Sequence, residues 1–550
     1  MNDDKTPSHP TQDAQHLPDP GRRDFVVDAA AFASLMALPG LASAQGTPVR
    51  GGNLNIGYPA DPRIYNGFVY ENSPQYAVMH HVVSKLLWWD AKNNLTGDLA
   101  EKWTQSPDNR EITFNLRRNV KWHDGKPFTA ADVVWSLQTV QKLPLSFGRF
   151  LAKMTEVRAL DSHTVKVTFS SPTPASLFAY YVGSNVILPK HIYDGTDIKT
   201  NPANAHPIGT GPFKWKQYAR DQSVVLERNP DYHGTVPYLD TITFKFTPNP
   251  STAILQLRSG ALDVISNFRN LGVNDLLTLS KDPKYQVAFV NSTVVMRVAF
   301  NFRPEGVAKH KWLSDVRCRM AVTHAIDRET ICNKLLHGYV TPSWGPLARG
   351  NPMYDPNLKA PAYDPARANA LLDEAGYKRG PDGVRFTTEL AYIPYFGTDA
   401  AAAAIADMLG RVGIKVNLLT GDYGAFLTKY WLGPTGQGDT PMSLIIGIHA
   451  PTADDARPNY DSRYQPRNNG NGVNIPEVDK LFDDGLAEPN PTKQRAIYWR
   501  LQQALSDAVV NVWIGTFRAS NVATRQVRNL SSSGSWEVLQ RLNEVWIAKS

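Results

Sequence analysis

The sequence predicts an α/β fold with more than one lobe. Strand-like runs, in which apolar and polar residues alternate, are mixed with runs of helical periodicity, and the two kinds do not alternate strictly. The segment from Asp399 to Leu419 has a helical pattern, a glycine turn and then a strand expected to be buried, which indicates an αβ unit. A chain of 550 residues, of which 42% are hydrophobic, has room for about two to four domains.

Strands are predicted where apolar and polar residues alternate. These runs are Glu111–Leu116, His163–Phe169, Thr241–Phe246 and Val295–Phe302. A further strand-like run precedes the second of them, and the pair predicts a hairpin that turns at Asp161 and Ser162.

Helices are predicted where apolar residues recur at helical spacing. These runs are Pro127–Gln141, Ser314–His337, Pro365–Ala375, Asp399–Val412, Pro476–Ala487 and Pro491–Ala508. Thr129, Asp364 and Thr398 are of the residue types that cap helix N-termini, and Gly376 suits a helix end.

Composition and charge exclude several classes of protein. The formal net charge of +7 is small for this length, and the densest basic cluster is only Arg117, Arg118 and Lys121, so we expect no nucleic-acid partner. No uncharged apolar run of membrane-spanning length occurs outside the N-terminal region, which excludes a multi-span membrane protein.

The N-terminal region has the features of an export signal. Arg22 and Arg23 precede an Ala-rich, weakly apolar stretch that ends in the small residues Ala42–Ala44, a form that signal peptidase accepts. A buried helix is the alternative, but a proline and a glycine near its end would break it. We therefore predict a twin-arginine signal peptide over residues 1–44 and export to the periplasm.

Sequence motifs of common enzymes are absent. There is no P-loop, no dinucleotide-binding glycine fingerprint after a strand, no HExxH and no GxSxG. The neighbours His80 and His81 cannot chelate as an i, i+4 pair would, so structural or surface roles are expected. Cys318 and Cys332 lie in helical patterns that favour reduced, buried thiols, although an oxidising compartment would also allow a disulfide. We expect no catalytic residue, no metal and no cofactor.

Two pairs of adjacent aspartates are the remaining candidates for acid–base chemistry. Asp454-Asp455 and Asp483-Asp484 could act as proton-transfer partners. Adjacent acids in polar loops or on helix faces are usually solvated, and solvated acids are expected for both pairs. An enzyme that uses an acid pair is the weaker hypothesis.

Four passages in order resemble the extracytoplasmic solute-binding proteins of ABC transporters, in the peptide/nickel/opine-binding group (solute-binding protein family 5). They are Leu95–Leu137 with WHDGKPFTAADV, Pro207–Gly234 with GTGPF, Asp315–Leu347 with RCRMAVTHAIDRE, and Tyr363–Tyr377 with YDPARANALLDEAGY. Read physically, they are scaffold: Asp124-Gly125 makes a tight turn, and Gly209 and Gly211 permit positive φ before a strand. An apolar helix face is predicted from Met320, Val322, Ala325 and Ile326.

The resemblance implies a two-lobed periplasmic-binding-protein clamshell of the large class, with an extra inserted subdomain and the ligand buried between the lobes. The implied organisation is a first lobe over residues 45–292 with the inserted subdomain at about 88–206, a second lobe over 293–510, and a C-terminal return to the first lobe over 511–550. The chain is expected to cross between the lobes near Asn291–Val294 and near Val510–Trp513.

The resemblance also argues against a strict dipeptide as the ligand. Dipeptide-binding members are expected to hold the carboxylate with an Arg just before a Pro-Tyr pair, and here Ile393 precedes Pro394 and Tyr395. Peptide-like solutes, opines and oligosaccharides stay open, and a nickel chelate held by His449 is conceivable. The residues implied to contact ligand are Glu71, Tyr76, Trp344, Tyr395, His449, Asp454 and Asp455.

The function that this pattern favours is a non-catalytic periplasmic receptor. It would capture a small-molecule solute by lobe closure and deliver it to the permease and ATPase subunits of an ABC importer, and it is expected to be a monomer. The alternatives are a secreted hydrolase on the same scaffold and a sensory binding protein. A soluble rather than lipid-anchored protein is expected, because Ala44-Gln45 lacks the lipoprotein cysteine.

Overall fold

The computed structural model describes most of the chain beyond the N-terminal region. The described residues are 47–69, 77–89, 95–143, 150–266, 271–394, 397–421, 426–431, 440–447, 452–464, 471–530, 539 and 542–549. Val49–Ser550 forms one compact unit, and the elements of this unit are described in chain order. The other unit, Met1–Pro48, contains the predicted signal peptide, which lies outside the described residues.

The strands form one large mixed sheet and three small antiparallel sheets. In chain order they are β1 (Asn53–Tyr58), β2 (Leu87–Trp89), β3 (Leu95–Gly97), β4 (Ala100–Gln105), β5 (Glu111–Leu116), β6 (Met154–Asp161), β7 (Thr164–Phe169), β8 (Phe213–Ala219), β9 (Ser223–Arg228), β10 (Thr241–Phe246), β11 (Val264–Ser266), β12 (Tyr285–Phe300), β13 (Val340–Pro342), β14 (Phe386–Tyr392), β15 (Ile414–Thr420), β16 (Met442–Gly447), β17 (Asn511–Thr524), β18 (Val527–Arg528) and β19 (Trp546–Ile547). The strands expected from alternation are confirmed, since β5 and β10 have the predicted bounds and β7 and β12 cover the other two runs.

Helices occur between these strands. The longer ones are α1 (Ala130–Gln141), α2 (Pro250–Arg258), α3 (Val273–Lys281), α4 (Pro304–Lys309), α5 (Val316–Ala325), α6 (Pro365–Glu374), α7 (Thr398–Arg411), α8 (Pro476–Ala487) and α9 (Pro491–Asp507). Short helical turns are Ala175–Leu177, Phe178–Gly183, Lys190–Tyr193, Pro202–Asn204, Lys311–Ser314, Thr330–Leu335, Phe426–Trp431, Ala453–Ala456, Arg457–Tyr460, Ser462–Tyr464 and Leu542–Glu544.

The large sheet has the order β15-β14-β16-β12-β17-β11-β1-β10-β9-β8, and β13 pairs with β17. β12 and β17 are its long central strands and pair antiparallel over most of their length. Their register is interrupted between Asn291 and Val295 on β12, opposite Arg518 and Thr516 on β17. The two ends of the sheet therefore meet through one strand pair that contains an irregularity.

Separate hydrophobic cores form on this framework. The first joins β1, β10 and the small β4-β5-β7-β6 sheet to Val527, Leu539, Leu542 and Val545. The second lies against α5 and α7, and the third lies against α8 and α9. Successive buried residues of β12 face different cores. Met296 and Val298 belong to the second core, whereas Val295 belongs to the third.

Several local predictions are confirmed. β6 and β7 pair antiparallel as a hairpin around Asp161 and Ser162. Thr129 forms a capping box with Asp132 at the start of α1. The Asp364 side chain accepts a hydrogen bond from the backbone N–H of Arg367 and so caps α6.

Two predicted helix details are wrong. The N-cap of α7 is Gly397, whose φ of +77° suits glycine, while Thr398 is the first helical residue and its hydroxyl donates to the carbonyl of Ile393. The run Ser314–His337 is interrupted after α5, where Ile326 is extended and the Asp327 carboxylate accepts from the N–H and hydroxyl of Thr330. The aspartate thus starts a second helical turn.

The expected burial of the strand after α7 is also wrong. β15 follows the glycine turn as predicted, but it is the edge strand of the sheet, and most of its side chains, including Leu418, are at least partly exposed. The αβ unit itself is confirmed, because α7 leads directly into β15, which pairs parallel with β14.

The glycines of the GTGPF passage are required for close approach rather than for positive φ. A side chain at Gly209 would place its Cβ 1.9 Å from the carbonyl oxygen of Val82, and one at Gly211 would lie 2.6 Å from the Val82 carbonyl carbon. Neither glycine has a positive φ, so the predicted reason is wrong. By contrast, the turn at Asp124-Gly125 is confirmed, with φ of +87° at Gly125.

The two cysteines are buried and free, which confirms the reduced state expected from their helical patterns. Burial raises the pKa of each thiol, of Cys318 to about 12 and of Cys332 to about 12. Both side chains belong to the second core.

Candidate functional site

The predicted ligand-contact residues divide into two groups. Trp344, Asp454 and Asp455 are described, whereas the other four, Glu71, Tyr76, Tyr395 and His449, lie outside the described residues. The geometry around the first three is therefore the basis for the candidate site.

The two aspartates lie in a short helical turn whose N-terminus is capped by Thr452. Thr452 begins the turn Ala453–Ala456, and the Asp455 carboxylate accepts hydrogen bonds from the Thr452 N–H and hydroxyl, each at 2.8 Å. The turn continues into the helix Arg457–Tyr460. The flanking residues Ala453 and Ala456 are buried in the third core.

Asp455 also contacts a distant part of the chain. Its Oδ1 accepts a 2.9 Å hydrogen bond from the hydroxyl of Tyr181, whose ring is buried in the first core and stacks on Phe150 at a centroid distance of 4.2 Å. Burial raises the pKa of Asp455 to about 7, even though the bonds from Thr452 and Tyr181 lower it. Burial also holds the pKa of Tyr181 well above its ordinary value, so the phenol remains the donor.

Asp454 is held by an arginine of its own segment. Its Oδ1 lies 2.7 Å from Nε of Arg457, and the same guanidinium contacts Asp483 at 2.7 Å and Asp461 at 3.4 Å. Burial raises the pKa of Asp454, while Arg457 acts against this rise. The expectation of a solvated pair is wrong for Asp454 and Asp455, because protein surrounds both carboxylates.

The second aspartate pair is on the surface, as expected. The side chains of Asp483 and Asp484 are 51% and 42% exposed, and each forms an ion pair, with Arg463 at 2.9 Å and with Lys480 at 2.5 Å respectively. Their exposure gives neither acid the environment that acid–base catalysis requires.

Trp344 lies apart from the aspartates. It is partly buried, and the guanidinium carbon of Arg328 lies 6.0 Å from its ring centroid. A cavity of about 20 Å³ borders the ring together with Thr323 and Trp513. That volume holds a single water rather than a solute.

Arg297 was not among the sequence-predicted site residues, although it is the most unusual charge near this segment. Its side chain is 1% exposed, and its Nη2 lies 3.3 Å from the Asn459 amide oxygen. Its Nε and Nη1 have no hydrogen-bond partner in the described part of the chain. Burial lowers its pKa. Periodicity could have identified Arg297 from the sequence. It lies two residues after Val295 in the strand-like run from Val295 to Phe302, on the face of the strand that Val295 buries in the third core.

The adjacent histidines have structural contacts. The His81 ring stacks on Phe244 at a centroid distance of 6.0 Å, and His80 Nε2 lies 3.0 Å from Nζ of Lys85. They border a cavity of about 200 Å³ that also touches Asp98 and His233, which form a 2.7 Å ion pair. Within the described residues no group of three or more His, Cys, Asp or Glu side chains is placed to hold a metal ion.

Comparisons with known proteins identify the family. Residues 94–471 match the bacterial extracellular solute-binding proteins, family 5 Middle. The chain is 31% identical over 468 residues to a putative ABC transporter peptide-binding protein of Brucella ovis, covering 81% of this chain and 83% of the relative. The chain belongs to family 5 of the bacterial extracellular solute-binding proteins. The resemblance stated from the four sequence passages is thereby confirmed.

Solved family 5 structures have the same fold. The oligopeptide-binding protein AppA of Bacillus subtilis, solved with a nonapeptide, matches with a TM-score of 0.76 at 22% identity, covering 92% of this chain and all (100%) of AppA. CtaP of Listeria monocytogenes, an ABC transporter substrate-binding protein, matches with a TM-score of 0.80 at 23% identity, covering 91% and 100%. The predicted α/β, two-lobed clamshell of family 5 is confirmed.

The family assignment places this chain among extracytoplasmic components of ABC transporters. A search of the described helices finds none with the length and apolar character needed to span a bilayer.

Proposed function

We propose that this family 5 protein is the periplasmic receptor of an ABC importer and captures a peptide-like solute between its lobes. The similarity to a putative ABC transporter peptide-binding protein along 81% of the chain carries this proposal. The fold shared with AppA, which was solved with a nonapeptide, supports a peptide-like solute. The permease and ATPase subunits of the importer are the expected partners.

Lobe closure is the proposed mechanism of capture. The Tyr181–Asp455 hydrogen bond links the first core to the segment on the third core, as a contact between closed lobes would. We propose the hinge at the register irregularity of β12, within 291–295 and opposite Thr516–Arg518. The first crossing predicted from sequence falls at this irregularity. The second, near 510–513, lies at the start of β17, beside a further register shift opposite Trp513 and Gly515. The lobe and subdomain boundaries stay as predicted: 45–292 with an insertion at about 88–206, then 293–510, then 511–550.

The proposed ligand contacts remain Glu71, Tyr76, Trp344, Tyr395, His449, Asp454 and Asp455. The last two differ from the rest because each already has a donor from the protein, Arg457 for Asp454 and Tyr181 for Asp455. A cationic ligand group would therefore have to compete with these donors. This competition, with Ile393 in place of an arginine, supports ligands other than a strict dipeptide.

We further propose that the protein is a non-catalytic monomer, exported by the twin-arginine pathway and free of cofactors. A buried acid pair with raised pKa values is the feature that a hydrolase on this scaffold would need, and Asp454 and Asp455 have it. The donors that engage both carboxylates support a structural role instead. A sensory role remains the other alternative.

Ligand-dependent unfolding tests the receptor proposal. The protein is stripped of co-purified ligand and its thermal midpoint is measured with peptides, opines, oligosaccharides, aromatic acids and metal chelates. A ligand at about 100 times its Kd should add about 2.7 kcal/mol of stability, and it should be recovered unchanged. Consumption of a compound that binds would instead establish an enzyme.

A further inference from the structure

Among the residues that the structure describes, the buried guanidinium of Arg297 has no anionic partner. No carboxylate of the described residues lies within 4.0 Å of it, and one amide oxygen at 3.3 Å is its sole hydrogen-bond acceptor. An arginine cannot lose its charge by deprotonation in a protein, and an unpaired buried charge is strongly unfavourable. This site is therefore incomplete without an anion.

Three other buried arginines have more partners. Arg328 donates to the backbone carbonyls of Thr323 and Pro361 and leaves only its Nε without a partner among the described residues. Arg319 donates to the backbone carbonyls of Leu313, Ala508 and Val509. Arg457 has three aspartate partners. Arg297, with two nitrogens unpartnered among the described residues and one long contact, therefore has the larger unmet hydrogen-bonding capacity.

Arg297 lies near the carboxyl end of β16 in the large sheet. Its neighbour across the sheet is Ile445, two residues before β16 ends, and β16 runs parallel to β14. Ligands of open α/β sheets bind outside the carboxyl ends of such parallel strands. Gly447, the last residue of β16, adds room: a Cβ at this glycine would lie 3.8 Å from Nη1.

We infer that Arg297 binds a carboxylate of the transported solute, so that the receptor selects anionic peptide-like solutes, including peptides with a free C-terminus. The planar fork of the guanidinium, with Nε and Nη1 both available, matches the two oxygens of a carboxylate. Arg297 would thus take the role of the arginine that is absent at position 393, but from a different strand. The inference rests on the proposed function, because it names the solute class of the same receptor.

Matched acid and amide peptides test the inference. Binding is measured calorimetrically for a series of alanine peptides with free C-terminal carboxylates and for the same series with C-terminal amides. We expect the wild type to prefer the acids by about 10- to 100-fold, as charge-assisted hydrogen bonds imply. Arg297→Met should lose this preference while retaining its affinity for the amides, and Arg297→Lys should retain only part of it.

Arg319→Met is the matched control, because it removes a buried arginine that is already satisfied. It should lower the thermal midpoint of the ligand-free protein and leave the acid preference of the remaining folded protein intact. Ligand-free Arg297→Met should instead unfold at the same or a higher temperature, because an uncompensated buried charge has been replaced by an apolar side chain.

The outcomes separate this inference from the proposed function. Equal binding of acids and amides by the wild type, or an unchanged acid preference in Arg297→Met, overturns the role of Arg297 and leaves the receptor intact. If the protein binds neither the acids nor the amides, the peptide proposal is contradicted. The thermal midpoints of ligand-free wild type and Arg297→Met then decide whether Arg297 is structural. A markedly lower midpoint for Arg297→Met would make the arginine structural and refute the inference.

Discussion

The hydroxyl of Tyr181 lies 2.9 Å from Oδ1 of Asp455, although 274 positions separate the two residues in the chain. Tyr181 is 6% exposed and belongs to the first core, whereas Asp455 stands between two alanines of the third core. One hydrogen bond thus joins two separately packed regions. Its removal should affect their association more than the stability of either region.

Tyr181→Phe should weaken ligand binding by about 3- to 10-fold, because a neutral hydrogen bond contributes about 1 kcal/mol to the closed state. Calorimetry with the best ligand of the unfolding panel measures the change. Ser136→Ala is the control, since the Ser136 hydroxyl bonds Leu188 inside the first core. Equal effects of the two substitutions on affinity would rule out a role for Tyr181 in closure.

Asp455→Asn should change how stability depends on pH. The pKa of Asp455 is raised to about 7 from an ordinary 3.8, so between these values the folded protein retains a proton that the unfolded chain has released. The stability of the wild type should therefore fall as pH rises through this window, by about 1 kcal/mol per pH unit from this group. Urea unfolding from pH 5 to pH 8 should show a flatter profile for Asp455→Asn.

Asp483→Asn provides the opposite slope for comparison. Burial raises the pKa of Asp483, but Arg463 and Arg457 together lower it by more than burial raises it. The net shift of the pKa is therefore downward. Its contribution to stability is present above the ordinary pKa of 3.8 and is lost as pH falls below it, so the urea unfolding is extended to below about pH 4. If both variants changed the pH profile in the same direction, the assignment of a buried, raised pKa to Asp455 would be incorrect.

Gly209→Ala should destabilise the protein by about 3 kcal/mol or more. Its Cβ would lie 1.9 Å from the Val82 carbonyl oxygen, which is backbone and cannot rotate aside. Gly410→Ala is the control, because it lies inside α7 with open space around the new Cβ, and alanine favours a helix. Thermal unfolding should show a lower midpoint for the first and an equal or higher midpoint for the second.

Under the proposed twin-arginine export, replacing Arg22 and Arg23 together by lysine should abolish export, because that pathway recognises an arginine pair. Immunoblots of periplasmic and cytoplasmic fractions measure the distribution. Arg50→Lys lies outside the predicted signal and should leave export unchanged. Periplasmic accumulation of the double variant would indicate a different export route.

Local sequence patterns predicted strands and helix starts but not the contacts between distant elements. Alternation identified β5 and β10, and the chemistry of Thr129 and Asp364 identified two helix starts, because these depend on neighbours in sequence. Family resemblance supplied the two-lobed architecture, which local patterns alone leave open.

The candidate site depended on relations that the sequence does not encode locally. Asp455 was expected to be solvated, and its partner Tyr181 could not be inferred across such a separation. The role of Gly209 likewise follows from the approach of Val82 rather than from its own turn. Arg297 did leave a local trace, a charge at an inward strand position, which periodicity could have revealed.

The position of β17 has a consequence for biosynthesis. This strand lies in the interior of the large sheet, paired with β11, β12 and β13, yet it is synthesised after all three. The first core also requires Val527, Leu542 and Val545 from the C-terminal end. A nascent chain that stops before Asn511 therefore leaves edges of β11, β12 and β13 unpaired, and the native sheet can form only after β17 has been synthesised.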